Sequence, residues 1–194
     1  MASMSGQKRR AATLEEARAL AHPLRLRILR LCLDEALTNK QLAERLDKDP
    51  GTVLHHVRAL VDTGFLAAEE VRQGQSGALE KPYRSTGKSW TLDVSEATGG
   101  HASAAEAILE AFLAEFREAG PAAAVGWSRL ALTLDQASLE ELQERLQALL
   151  DEFVARPPAP GGEPYGMAVF IHRRAVGQAA AAQAPGSGGV PPTS

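Results

Sequence analysis

Residues 38–64 read TNKQLAERLDKDPGTVLHHVRALVDTG, two short helical patterns separated by a turn. Thr38-Asn39-Lys40-Gln41 is a capping-box pattern, in which threonine accepts from the third helical amide and glutamine reaches back. It opens a short helix with Leu42 and Leu46 inward, ending near Asp47. Asp49-Pro50 then starts another, because aspartate caps free amides and proline suits the first turn. Val53, Val57, Leu60 and Val61 follow as one apolar stripe. Gly64 ends the helix by entering the left-handed conformation. Two short helices meeting across Asp47-Lys48-Asp49 have helix-turn-helix spacing.

On the N-terminal side, Thr13-Leu14-Glu15-Glu16 is a second capping box, predicting a helix from Leu14 to Ala21. Pro23 breaks it at His22 and begins another, with Leu24, Ile28, Leu31 and Leu33, running to Asp34 or Glu35. On the C-terminal side, Phe65–Arg72 and Lys81–Thr86 read as two strands around the tip Gln73-Gly74-Gln75-Ser76-Gly77. Ser89–Val94 is expected to add a further strand. A hairpin directly after a helix-turn-helix makes a winged helix. The expected fold class is therefore α+β: a winged helix-turn-helix domain over 13–98, preceded by a disordered basic tail over 1–12.

Thr98-Gly99-Gly100 reads as a hinge into a rear unit over 101–174. Ala102–Glu118 is strongly helical, with Ala105, Ile108, Leu109, Phe112, Leu113 and Phe116 on one stripe. Trp127–Leu134 alternates, and Ser138-Leu139-Glu140-Glu141 predicts a helix start. Tyr165–Arg173 is a second expected strand, giving a small strand–helix–strand domain. Residues 175–194 are Ala, Gly, Pro and Ser without periodicity and are expected to be disordered.

Composition narrows the function classes. The 194 residues are 44% hydrophobic and 23% charged, enough for a sizeable core. No apolar run approaches the roughly 18 residues of a membrane span, and the N-terminus lacks the apolar stretch of a secretory signal. A cytoplasmic location is expected. The formal charge of −3 hides an asymmetry: residues 1–60 are net +4 and residues 101–194 net −5. A basic front half fits a polyanion partner.

At about 100° per residue, the face opposite the apolar stripe of residues 50–62 holds Gly51, Thr52, His55 and Arg58, with His56 on the flank. Small and polar residues at the helix start suit entry into a major groove. Gly51 and Thr52 allow close approach, His55 bonds base edges in either tautomer, and Arg58 suits phosphate. His56 is a further candidate reader. The amides beginning at Asn39, with Lys40 and Gln41, are placed to hold a phosphate. In the wing the candidates are Arg72, Gln75, Lys81 and Arg84, with Gln73 beside them. Arg9 and Arg10 are the candidates for a mobile basic arm that tracks phosphates.

Three pieces together resemble the ArsR-type winged-helix repressors: Ala21-His22-Pro23-Leu24-Arg25-Leu26-Arg27-Ile28-Leu29, Leu42-Ala43-Glu44-Arg45-Leu46, and Thr52 through Val61. Glu80-Lys81-Pro82-Tyr83-Arg84-Ser85-Thr86 resembles the wing of the subgroup with an added C-terminal domain. The resemblance covers about residues 13–95. It implies a dimeric, sequence-specific regulator of double-stranded DNA, usually a repressor released by an effector. The chain departs from the metal-sensing members. Where they carry a Cys-x-Cys pair stand Thr38 and Lys40, and Ala102–Glu118 has neither the Asp nor the His of their other metal site, with His101 isolated before it. The single cysteine, Cys32, lies in an apolar helix and reads as a core residue. No metal and no cofactor are expected. Leu54 stands where the family commonly has serine, so it is expected to pack rather than read bases.

The stripe from Ala105 to Phe116 is assigned to homodimerisation, since helix-turn-helix proteins usually occupy two half-sites. Trp127, Tyr165, Met167, Phe170 and His172 are the rear residues available to a small-molecule effector, but they form no convergent polar set that names one. An enzyme is disfavoured, because there is no phosphate loop, nucleophile elbow or paired metal-ligand motif. The alternative is a winged-helix interaction module that does not read DNA.

Overall fold

The computed structural model describes residues 9–74, 77, 79–94, 100–126 and 128–174. Gln75, Trp127 and the expected C-terminal tail lie outside the described residues. A short strand β1 (Arg10–Ala11) leads into α1 (Leu14–Leu20) and α2 (Pro23–Asp34). Then come β2 (Leu37–Thr38), α3 (Asn39–Leu46) and α4 (Pro50–Asp62). The wing is β3 (Leu66–Ala68), β4 (Arg72–Gln73), β5 (Leu79–Glu80) and β6 (Pro82–Ser85). A 3-10 turn at Lys88–Thr91 precedes β7 (Leu92–Asp93), and α5 (Gly100–Ala119) and α6 (Gln136–Val154) complete the elements.

Local sequence sets the helix starts. Thr13 and Thr38 both form the expected capping boxes, with Glu16 and Gln41 reaching back. The His22 ring caps α2 by accepting from the Leu24 amide at 3.2 Å. Asp47 closes α3 in the left-handed conformation (φ 50°), and Gly64 (φ 73°) turns the chain from α4 into β3. The three-stranded antiparallel sheet runs β2-β6-β3, with Leu37 opposite Tyr83 and Leu66 opposite Ser85. Pro82 sits at the start of the central strand, where its missing donor costs least.

The core lies inside the winged helix. Ile28, Cys32, Leu37, Leu42, Val53, Val57 and Leu60 are fully buried, and Phe65 and Leu92 close the cluster. Burial pushes the Cys32 thiol up to about 11. Ala104, Ala107 and Ala111 bury the inner face of α5, which packs on α1 and α2. Arg27 and Glu118 form an ion pair across that contact.

Four expectations change. The tail expected over 1–12 is ordered at its end: β1 pairs in parallel with β7, Arg10 opposite Leu92. Its anchor is Glu16, whose buried carboxylate meets Arg10 at 2.7 Å and Lys88 at 2.8 Å. The strand expected over Ser89–Val94 is a 3-10 turn first, with only Leu92–Asp93 in a ladder. α6 begins earlier than Ser138, because Asp135 is its cap and accepts from the Ser138 amide at 2.8 Å. In the rear, Ser128–Leu134 and Tyr165–Arg173 make no strand pairing among the described residues. Among the described residues, no helix is long and apolar enough to cross a membrane.

Candidate nucleic-acid interface

α4 presents a polar outer face. Gly51, Thr52, His55 and Arg58 are exposed, whereas Val53, His56, Val57 and Leu60 are buried. The N-terminus is drawn tight by Asp49, whose Oδ1 accepts from the amides of Gly51 (2.8 Å) and Thr52 (3.1 Å). A Cβ on Gly51 would stand 3.0 Å from that oxygen, so glycine keeps the cap close to the chain. The outer face thus begins with almost no side-chain bulk.

His56 is turned inward. Its ring lies 4.3 Å from the His22 ring, centroid to centroid, and 5.3 Å from the His55 ring. The residue is only 8% exposed, and its Nδ1 is buried without a hydrogen-bond partner among the described residues. Burial, then the neighbouring His22, Arg25 and His55, hold its pKa down at about 4. It is therefore a neutral packing residue near pH 7, against the sequence expectation of a base reader. The flank it occupies is covered because the start of α2 packs there.

α3 stands beside α4. Asn39 Nδ2 donates to the Pro50 carbonyl at 2.9 Å, clamping the two helix starts together. Gln41 Oε1 accepts from the Thr38 amide at 2.9 Å, completing the cap. Both side chains thus serve the turn, and Lys40 is the free-reaching one, 83% exposed with Glu44 at 3.9 Å. Lys48, which sequence reasoning left out, is exposed in the turn itself. Its signal was its place between the two helices.

In the wing, Arg72 faces Glu80 at 3.6 Å, and Arg84 is paired with Glu69. Lys81 is exposed, with its ammonium 5.9 Å from the Tyr83 ring. Gln75 belongs to the tip outside the described residues. Arg10 is held by Glu16, and Arg9 lies 4.4 Å over the Trp90 ring, so both are fastened to the domain rather than forming a loose arm.

Behind the helix-turn-helix, Ile108, Leu109, Leu113 and Phe116 are exposed on α5, while Ala105 and Phe112 are half-buried. A cleft of about 210 Å³ lies between α2, the wing base and α5, lined by Arg30, Ile108, Phe112, Glu115 and Met167 among others. Burial raises the pKa of Glu115, against the pull of Arg30 and Arg27. Of the described rear residues considered for a ligand, only Met167 lines this cleft; Tyr165, Phe170 and His172 are exposed. Among the described residues no group of three or more potential ligands gathers to hold a metal.

Residues 20–68 match the family of helix-turn-helix domains. No curated protein matches the chain. Solved structures similar to it include reduced HlyU from Vibrio cholerae, 20% identical, covering 52% of this chain and 85% of that one, with a TM-score of 0.33. Wild-type ZitR from Lactococcus lactis in complex with DNA is 18% identical over 68% of this chain and 74% of that one (TM-score 0.30). The adhesin competence repressor AdcR from Streptococcus pyogenes is 16% identical over 67% and 78% (TM-score 0.30). The matched segment spans α2 to β3, and with the hairpin that follows it makes a winged helix-turn-helix.

Proposed function

We propose that the chain is a sequence-specific DNA-binding transcription regulator: a homodimeric repressor of the ArsR type without the thiolate metal site. The observation that carries this reading is the outer face of α4, where Gly51, Thr52, His55 and Arg58 are exposed together on a helix with a bare, tightly capped start. In the proposed mechanism α4 enters the major groove, with Thr52 and His55 at base edges and Arg58 at phosphate. Lys40 and Lys48 grip the adjacent backbone, and Lys81, Arg72 and Arg84 contact phosphate from the wing. The carboxylates on the two wing arginines would exchange for phosphates on binding. The exposed stripe of α5 pairs two copies, so that their α4 helices meet successive major grooves. The cleft beside Glu115 is the place where an effector would act on that pairing.

Titration of labelled duplexes selected for binding, in a salt series, tests the reading. Affinity should fall steeply with salt and exceed that for random DNA by about 10³-fold or more. A ratio near one would refute sequence-specific binding. Unchanged affinity after joint His55→Ala and Arg58→Ala substitution would favour an interaction module instead.

A further inference from the structure

The rear of the chain carries a surface that the described residues leave uncovered. None of the described residues from 120 to 174 is buried. Two segments there repeat with period two: Leu130, Leu132 and Leu134 in one, Met167, Val169 and Ile171 in the other. Such alternation marks a strand with one face in an apolar layer. Yet Leu130 is 78% and Met167 70% exposed. Among the described residues, no backbone hydrogen bond engages 128–134 or 166–171. A row of open amides and carbonyls between alternating apolar side chains is what a sheet edge offers to another strand.

The other described residues do not fill this role. The core of the winged helix is already closed, and the inner face of α5 is occupied by α1 and α2. The uncovered surface is continuous with the outer face of α5, since Met167 and Ala168 line the same cleft as Ile108 and Phe112. α6 adds Leu149 and Phe153, each more than half exposed.

We propose that segments 128–134 and 166–171 pair with those of a second copy, forming an intermolecular sheet that clasps the two α5 helices. A two-fold axis supplies each copy's open edge with an edge of the same length and pattern. The apolar faces of both segments, and the stripe of α6, then become the layers of one shared core. This rests on the dimer of the reading above but places its main contact in the arm rather than on α5. The acidic residues of α6, Glu140, Glu141, Glu144 and Glu152, are exposed and lie opposite its apolar stripe, so they stay in solvent when that stripe is covered.

The test uses the full chain, with isotope-labelled and unlabelled copies mixed, refolded together and studied by isotope-filtered NMR, amide hydrogen exchange and sedimentation. Expected are a dimer, slowly exchanging amides within 129–134 and 166–171, and NOEs between these segments across copies. A dimer whose arm amides exchange freely overturns the proposal and leaves the α5 dimer standing. Protected amides with NOEs only within one chain overturn it in favour of an internal sheet. A monomer overturns both. The double variant Leu132→Asp, Val169→Asp should weaken the dimer about tenfold or more; if it fails to fold, the NMR result on the unsubstituted chain decides.

Discussion

Neighbouring histidines on one helix have opposite fates. His55 faces solvent on the proposed reading side, and His56 is packed against His22. Substituting His55 should therefore cost DNA affinity, and His56→Leu should leave specificity nearly intact at pH 7.5; titration of the same duplex with both variants separates the roles. The pH dependence follows from the same burial. An unfolded histidine takes its proton near pH 6.5, whereas folded His56 does so near 4. Between those values the unfolded chain binds more protons, so stability is full above about pH 6.5 and falls as pH drops through that window. Burial also lowers the pKa of His22, with Arg25 and His55 lowering it and Glu110 raising it, so its net effect has the same sign. Urea denaturation from pH 7.5 to 4.5 should show the decline, and His56→Leu should flatten it. Glu16 acts elsewhere on the scale. Arg10, with Lys88 and the Thr13 amide, holds its carboxyl far below the usual range. Its contribution is fully present above about pH 4.5 and is lost progressively as pH falls below that value. Glu16→Gln leaves the solvent-accessible Arg10 and Lys88 without their counter-charge and should cost about 1 to 2 kcal/mol in denaturation at pH 7.

Helix starts are where this fold is written locally. Asp49 holds two amides of α4, so Asp49→Ala should destabilise by about 1 kcal/mol in urea denaturation and weaken DNA binding by loosening the helix tip. Caps of this kind act within three residues, which is why α1 to α4 are legible in the sequence nearly to the residue. The outer face of α4 is legible for the same reason, since helical angle alone separates Thr52, His55 and Arg58 from Val53, Val57 and Leu60. What is not legible depends on distant partners. His56 lies on the flank of its stripe, and only the packing of α2 against α4 decides that this flank is covered. β1 exists because Glu16 gathers Arg10 and Lys88, residues 78 apart in the chain. The period-two segments of the rear carry a strand's pattern, but a pattern does not name its partner, and within one chain none of the described strands supplies it.

The molecule as a whole divides into a basic front with a closed core and an acidic rear with an open one. Exposed large apolar residues concentrate behind residue 107, and the outer stripe of α5 is among them. Leu109→Asp, on that stripe, should shift the oligomeric equilibrium toward monomer about tenfold and lower affinity for a two-site duplex with it, while a single-site duplex is affected little. Sedimentation and titration of both duplexes check this. Cys32, the chain's only thiol, gives these experiments a built-in clock. Sealed at the centre of the front core and held as a thiol, it should meet a thiol-directed reagent only when that core opens. Its labelling rate in native buffer then counts openings directly, without denaturant. A cysteine placed on the wing or on α4 would react alone, carrying a single dye to the surface where DNA is proposed to sit.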